Sequence, residues 1–223
     1  MVAMRRLMVL ALGLMAAPVM AQTDPVATPT PIVAPTPTPV IPAAPPLPRV
    51  AVVTTAGRIV IELETKKAPI TAANFLRYVD QRRLDGVSFY RDVKVADHFG
   101  FVQFGVMGNP KRILPPIKHE PTTLTGLKHF DGTISLARLA PGTGRGDFTI
   151  SVGDQFGLDA DPTQPGDNLG YATFGRVVEG MDVILAIFNA PISPTRTMLG
   201  TFKGEVPVAP VKVISVRRIP AAK

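Results

Sequence analysis

Along residues 49–219 the apolar positions recur with two periods, and each switch between them marks an element. Residues 50–55 (VAVVTT) are β-branched and read as a strand. Residues 58–64 (RIVIELE) alternate, with Ile59, Ile61 and Leu63 on one face and Arg58, Val60, Glu62 and Glu64 on the other. Ala56-Gly57 is a candidate two-residue turn, so the two runs form a hairpin with one buried face. The period then changes. Pro69 precedes a helix for which Thr71 is the expected N-cap, and Ala72, Phe75, Leu76 and Val79 follow at helical spacing. After Asp85-Gly86, strand-like runs return at 87–91, 101–106, 133–137, 148–152 and 172–177, separated by Gly-, Pro- and Asp-rich loops at 140–147 and 153–170. Met181, Ile184, Leu185 and Phe188 restore the helical period within 178–188, and 211–219 reads as a last strand. About eight strands and two helices predict a mainly β domain over 49–219. The expected form is an eight-stranded antiparallel closed barrel capped by two α-helices, because closure removes exposed sheet edges.

The N-terminal residues follow neither period. Arg5 and Arg6 precede an apolar run at 7–20, and Val19-Met20-Ala21 places compact residues where a signal peptidase cuts. This predicts a signal peptide over 1–21 and an exported, periplasmic protein. The run is shorter than the roughly 20 residues of a spanning helix, so no integral span is expected after cleavage. Residues 22–48 hold ten of the 24 prolines, with no Lys or Arg and one acid, Asp24. Each Pro removes a backbone donor and fixes φ, which predicts an extended linker rather than part of a core. Residues 220–223 are a short tail.

Composition changes this picture little. The net charge of +7 is spread without a dense basic run, so nucleic acid is not an expected partner, and a monomer is expected. The absence of Cys excludes disulfides, thiolate zinc ligation and thiol catalysis. His98, His119 and His129 lack zinc-ligand spacing, and Asp159, Asp161, Asp167 and Asn168 lack that of an EF-hand. Gly142, Gly144 and Gly146 lack the Lys-Ser/Thr of a phosphate loop. No metal is expected.

Five blocks in order give the chain a likeness. They are Gly57-Arg58-Ile59; Ala68-Pro69-Ile70-Thr71 leading to Asn74-Phe75; Phe89-Tyr90-Arg91; Gly132-Thr133-Ile134-Ser135-Leu136-Ala137; and Phe174-Gly175-Arg176-Val177-Val178-Glu179-Gly180-Met181-Asp182. In sequence and spacing they resemble the cyclophilin family of peptidyl-prolyl cis-trans isomerases. The resemblance implies an eight-stranded barrel with a helix at each end, proline-containing polypeptides as substrates, and neither cofactor nor covalent step.

The resemblance also implies the site. Arg91 matches the family's catalytic Arg. A guanidinium suits the task because it keeps its charge and offers several donors in a rigid fork. Gln103 matches the Gln beside it, although the 12 positions between them exceed the family's usual interval, with the extra residues expected in 92–99. Phe101 matches a pocket wall. Ala137 and Arg138 stand at an Ala-Asn pair that contacts substrate through backbone, which leaves the Arg138 side chain to solvent or to acidic peptides. Phe148 follows the Gly-rich loop in a substrate-contacting block, with Asp147 in place of a Gln. Thr149 stands where an aromatic ring usually floors the proline pocket, and Tyr171 where a His forms a wall. Leu158 or Leu169 supplies the remaining apolar wall. Two readings follow, an active prolyl isomerase and a catalytically weak peptide-binding module or chaperone. Arg91 favours the first; Thr149 and the stretched interval favour the second.

Overall fold

A computed structural model of the chain describes residues 46–198 and 200–220. The expected signal peptide, most of the expected linker and the last three residues lie outside them. Pro48 already belongs to the sheet, since its carbonyl accepts the Leu63 N–H at 2.9 Å.

The first hairpin pairs β1 (Arg49–Thr54) with β2 (Gly57–Leu63). Its turn falls at Thr55 and Ala56, one residue earlier than expected. The Thr54 hydroxyl explains the shift: it accepts the N–H groups of Ala56 and Gly57 at 3.0 and 3.1 Å and donates to the Gly57 carbonyl at 2.8 Å. Helix α1 (Pro69–Asp80) opens on Pro69, where a missing N–H costs nothing. Thr71, the expected N-cap, lies inside the first turn. The cap comes instead from distant Glu120, whose buried carboxylate accepts Ile70 N–H at 3.1 Å, Thr71 N–H at 2.7 Å and the Thr71 hydroxyl at 2.7 Å. A carboxylate there satisfies orphan donors at the positive end of the helix dipole.

The remaining elements are β3 (Ser88–Ala96), β4 (Phe99–Gly105), α2 (Thr122–Thr125), β5 (Thr133–Leu136), β6 (Asp147–Val152), β7 (Ala172–Glu179), α3 (Met181–Phe188) and β8 (Val213–Ile219). A 3-10 turn covers Phe156–Leu158. Helix α2 is one turn long, too short to leave a periodic trace, so the described residues hold three α-helices where the sequence predicts two. Helix α3 begins after Gly180, whose φ is 84° and whose absent Cβ would lie 2.3 Å from the Arg58 carbonyl oxygen; only glycine fits.

The eight strands form one antiparallel sheet in the order β3-β4-β6-β5-β7-β2-β1-β8. It curls into a half-barrel, and the closed barrel expected from sequence is a modest overstatement. Edge strand β3 meets the residue just before the other edge strand, β8, at an isolated bridge, Ser88 to Lys212, backed by bonds from Gly86 and Phe89 N–H to the Val213 and Val211 carbonyls. Beyond that point β3 turns to the segment before β8, where Asp92 N–H donates to the Glu205 carbonyl at 2.8 Å.

Helix α1 packs on β7 and β8, and α3 on β2, β3, β4 and β6. Phe148 is the hub of the core. Its ring lies 4.9 Å from Phe75, 5.8 Å from Phe104 and 5.8 Å from Phe174, centroid to centroid. Such pairs add about 0.5–1.5 kcal/mol each beyond area burial. Fixing this hub on β6 also fixes the direction of Thr149, the next residue along the strand.

Candidate active site

The β3–β4 hairpin resolves the long interval between Arg91 and Gln103. Residues 92–102 form the two arms and the tip of the hairpin above a register shift at Tyr90, so Arg91 sits directly across from Gln103, and Gln103 in turn across from Thr149 on β6. Cross-strand partners share a face, so the three side chains form a row on the outside of the half-barrel. Arg91 Nη1 donates to Gln103 Oε1 at 3.1 Å.

That row opens into a cavity of about 490 Å3. Of the residues expected from sequence, Arg91, Gln103, Phe101, Ala137, Arg138, Thr149, Leu158 and Tyr171 line it together. Of the two leucines weighed for the last wall, Leu158 is the one that lines the cavity; the Leu169 carbonyl meets His119 Nε2 at 2.9 Å. Phe148 does not join them. It is fully buried in the core, because neighbours on a strand point to opposite faces and Thr149 takes the outer one.

Arg138 corrects the expectation of a free side chain. Its Nη1 and Nη2 donate to the two Asp167 carboxylate oxygens at 2.7 and 2.8 Å. Nε and Nη2 reach the Gly170 carbonyl at 2.9 and 2.6 Å, and Nη1 reaches the Leu139 carbonyl at 3.2 Å. The guanidinium also stacks 5.3 Å from the Tyr171 ring centroid. The pairing holds the Asp167 carboxyl down at about 2, mainly through the Arg138 hydrogen bonds and then through Leu169 N–H. Arg138 therefore ties loop 159–170 to the end of β5.

The opposite end of the cavity rests on Asp147. Its Oδ1 accepts the Tyr90 hydroxyl at 3.0 Å and Met107 N–H at 2.9 Å, which fixes the Met107-Gly108 corner. Burial pushes the Asp147 carboxyl up, and these two hydrogen bonds oppose it. Burial and the Asp147 charge likewise push Tyr90 up. From α1, the buried Asn74 side chain donates to the Arg145 carbonyl at 2.6 Å and so braces the Gly-rich loop.

Several further residues line the cavity that the sequence reading does not single out. Met107, Ile113, Leu139, Met198 and Phe202 all line the cavity. Leu139 is 95% exposed, and an apolar side chain directly after Ala137-Arg138 is a cue that could have marked it. Phe202 and Glu205 come from the segment between α3 and β8 and reach Arg91 across more than a hundred residues. Glu205 Oε2 accepts Arg91 Nε–H at 2.5 Å, and the Phe202 ring centroid lies 4.1 Å from Arg91 Cζ.

Asp92 faces the other way, into the half-barrel beside Val102. It is 1% exposed, and neither carboxylate oxygen has a hydrogen-bond partner among the described residues. Burial raises its pKa to about 7, opposed by the charge of Lys94. His129 is buried too, with Nδ1 2.7 Å from Asp159 Oδ1, and burial lowers its pKa against that carboxylate.

The chemistry open to this arrangement is donation without bond exchange. Arg91 has five N–H groups; one serves Glu205 and one Gln103. Among the described residues the other three have no hydrogen-bond partner.

Comparison with known proteins agrees with the geometry. A sequence model of the family described as cyclophilin type peptidyl-prolyl cis-trans isomerase/CLD matches residues 49–218. A peptidyl-prolyl cis-trans isomerase of Acinetobacter baylyi is 39% identical over 167 residues, 74% of this chain and 81% of that protein. Another from Streptomyces antibioticus, cyp18, is 34% identical over 172 residues, 74% of this chain and 94% of that one. The crystal structure of a Cryptosporidium parvum cyclophilin type peptidyl-prolyl cis-trans isomerase in the presence of the dipeptide Ala-Pro superposes with a TM-score of 0.62. It is 19% identical, covering 77% of this chain and 99% of that one, and shows the shared fold. With a family match that runs from β1 into β8 and two bacterial relatives above 30% identity, the chain belongs to the cyclophilin type peptidyl-prolyl cis-trans isomerases.

Proposed function

We propose that this protein isomerises peptide bonds before proline in exported polypeptides, with Arg91 as the donor that stabilises the twisted amide. The uncatalysed barrier is about 18–20 kcal/mol because amide resonance must be broken. As the bond twists, the prolyl nitrogen regains its lone pair. A fixed cationic donor aimed at that nitrogen favours the twisted state over both planar states, which lowers the barrier. No bond to any other group forms or breaks.

The observation that carries this reading is the cross-strand placement of Arg91 and Gln103 at the mouth of a largely apolar cavity, with three guanidinium N–H groups uncommitted among the described residues. Phe101, Tyr171 and Leu158 supply surface for a proline ring, and Ala137 and Arg138 supply backbone for the peptide. The test is the exchange rate between cis and trans forms of a short X–Pro peptide, measured by NMR with catalytic amounts of protein. Acceleration by the wild type and its loss in Arg91→Ala is the expected result. Equal rates for both would remove Arg91 from the chemistry.

Thr149 favours the second reading, a peptide-binding module or chaperone with weak catalysis, because a small polar residue replaces ring surface where proline is gripped. Peptide binding with no acceleration of exchange would establish it. Export rests on the basic residues, apolar run and compact cleavage site of residues 1–21. The mature protein then begins at Gln22, which mass spectrometry of the exported form checks.

A further inference from the structure

We propose that Glu205, assisted by Phe202, is a positioning residue that clamps the Arg91 guanidinium and leaves only its cavity-facing N–H groups for substrate. This rests on the reading of Arg91 as the donor and adds a part to it that no local motif announces.

Three contacts hold the guanidinium from three directions. Gln103 takes an Nη1 proton from across the hairpin at 3.1 Å, Glu205 takes the Nε proton at 2.5 Å, and Phe202 covers the planar face with its centroid 4.1 Å from Cζ. A fourth contact, the Phe101 ring, lies 5.4 Å from Cζ. An unclamped Arg samples many rotamers, and each hydrogen bond to it must overcome that freedom. A donor held ready before substrate arrives needs no reorganisation as the amide twists, which is the condition for electrostatic stabilisation of a transition state. Glu205 also offsets the charge of the guanidinium. Orientation is gained at the expense of some field, so the clamp is worth having only if direction limits the rate more than charge does.

The segment that delivers these residues is built to stay in place. The Glu205 carbonyl accepts Asp92 N–H at 2.8 Å, which fastens it to the strand that carries Arg91. Glu205 N–H donates to the Phe202 carbonyl at 3.1 Å, closing a turn between the two clamp residues. Val206 is buried, and its carbonyl accepts Ser193 N–H at 2.8 Å. Phe202 has φ 57°, a left-handed conformation that an aromatic residue rarely adopts. Strained backbone of this kind persists where its surroundings enforce it. Here it puts a ring over a guanidinium.

The test is a double-mutant cycle on the full chain, read as kcat and KM for an X–Pro peptide. Glu205→Ala is expected to lower kcat about tenfold with KM changed less than twofold, since Glu205 does not touch substrate. Glu205→Gln keeps an acceptor for Nε–H and is expected to recover most of the loss. Phe202→Leu is expected to cost about threefold. In an Arg91→Ala background Glu205→Ala should cost nothing further, because its effect passes through Arg91. A second readout is independent of turnover: the Arg91 Nε–H resonance should be slow to exchange in wild type and in Glu205→Gln, and fast in Glu205→Ala. A rise or no change in kcat for Glu205→Ala would overturn the clamp alone, the rise marking Glu205 as an inhibitory latch. An equal loss in the Arg91→Ala background would overturn it as a mere fold contact. Wild-type exchange rates in Arg91→Ala would instead overturn the functional reading, and the clamp's catalytic role with it.

Discussion

Two arginines line the same cavity, one from β3 and one from just after β5, and they differ in how many donors they keep. Arg138 spends all five N–H groups on Asp167 and on the Gly170 and Leu139 carbonyls. Among the described residues Arg91 spends two and keeps three. On the proposed reading, the saturated guanidinium is a bracket and the unsaturated one is the donor to substrate. Residue type and exposure do not separate these roles, because both side chains are largely covered, 21% exposed for Arg91 and 6% for Arg138. Counting partners does.

The sharpest way to break the contrast is to truncate each arginine. Arg91→Ala is expected to lower kcat/KM by about 10²-fold or more, about 2.7 kcal/mol, with an unchanged melting temperature. Arg91→Lys should rescue poorly, since an ammonium lacks the planar fork that meets Glu205, Gln103 and substrate together.

The walls should also differ in their response to pH. Behind Arg91 lies Asp92, with a folded pKa of about 7 against 3.8 ordinarily. Below about pH 4 both folded and unfolded chains hold that proton, so the group costs nothing. Between about pH 4 and 7 the unfolded chain has lost the proton and the folded chain retains it. Stability therefore falls as pH rises through that window and levels off above it. A shift of this size sets a ceiling of about 4 kcal/mol, and water penetration brings the expected cost to on the order of 2 kcal/mol. Denaturant titrations of wild type and Asp92→Asn at pH 4, 5.5 and 8 should diverge with pH in favour of the variant. Parallel curves would show Asp92 ionised and solvated throughout. Asp167, beside Arg138, is shifted the opposite way, to about 2. Its contribution is complete above about pH 4 and is lost as pH falls toward 2. Loop 159–170 should loosen only in that acid window, seen as faster amide exchange.

Arg138→Ala is the next effect in size. Removing a largely covered bracket that serves three acceptors is expected to cost about 1–2 kcal/mol of stability. Its turnover should fall less than tenfold. A loss as large as that of Arg91→Ala, with stability intact, would reverse the assignment of the two walls.

The smallest expected effect is at Thr149. Thr149→Phe restores ring surface at the cavity wall, and a gain of about threefold in kcat/KM, roughly 0.65 kcal/mol, is expected toward small proline peptides. Overpacking opposes it and typically costs about 1–3 kcal/mol. Measuring turnover and melting on the same variant separates the two, and a stability loss without a gain in rate would mean the space is already filled by residues such as Phe202.

What the sequence revealed follows from the range of the forces involved. Strand alternation placed Ile59, Ile61 and Leu63 inside, and helical spacing placed Phe75, Leu76 and Val79; all six are buried. The block Phe89-Tyr90-Arg91 points to Arg91, which lines the cavity. The block that holds Phe148 puts it beside the site, but adjacent strand residues face opposite ways, so Phe148 enters the core where Thr149 faces the cavity. The misplaced N-cap was of another kind. The residue that caps α1, Glu120, lies 49 positions from Thr71, and no local pattern joins them. Glu205 and Phe202 were invisible for the same reason, with 114 positions between Arg91 and Glu205.

The length of the β3–β4 hairpin beyond Arg91 and Gln103 has an evolutionary consequence. From Arg91–Gln103 through Lys94–Gly100 its pairs stay in step, between one irregularity at Tyr90 at the foot and another at the tip, near the exposed Val95 and the left-handed His98. Growth at such a tip obeys parity. Residues added in equal number to both arms push the tip outward and leave the base untouched, whereas a single residue added to one arm near the base would turn Gln103 toward the core and Val102 toward Arg91. The hairpin can therefore act as a graft point, free to vary in length and surface among descendants while the residues at its foot keep their faces.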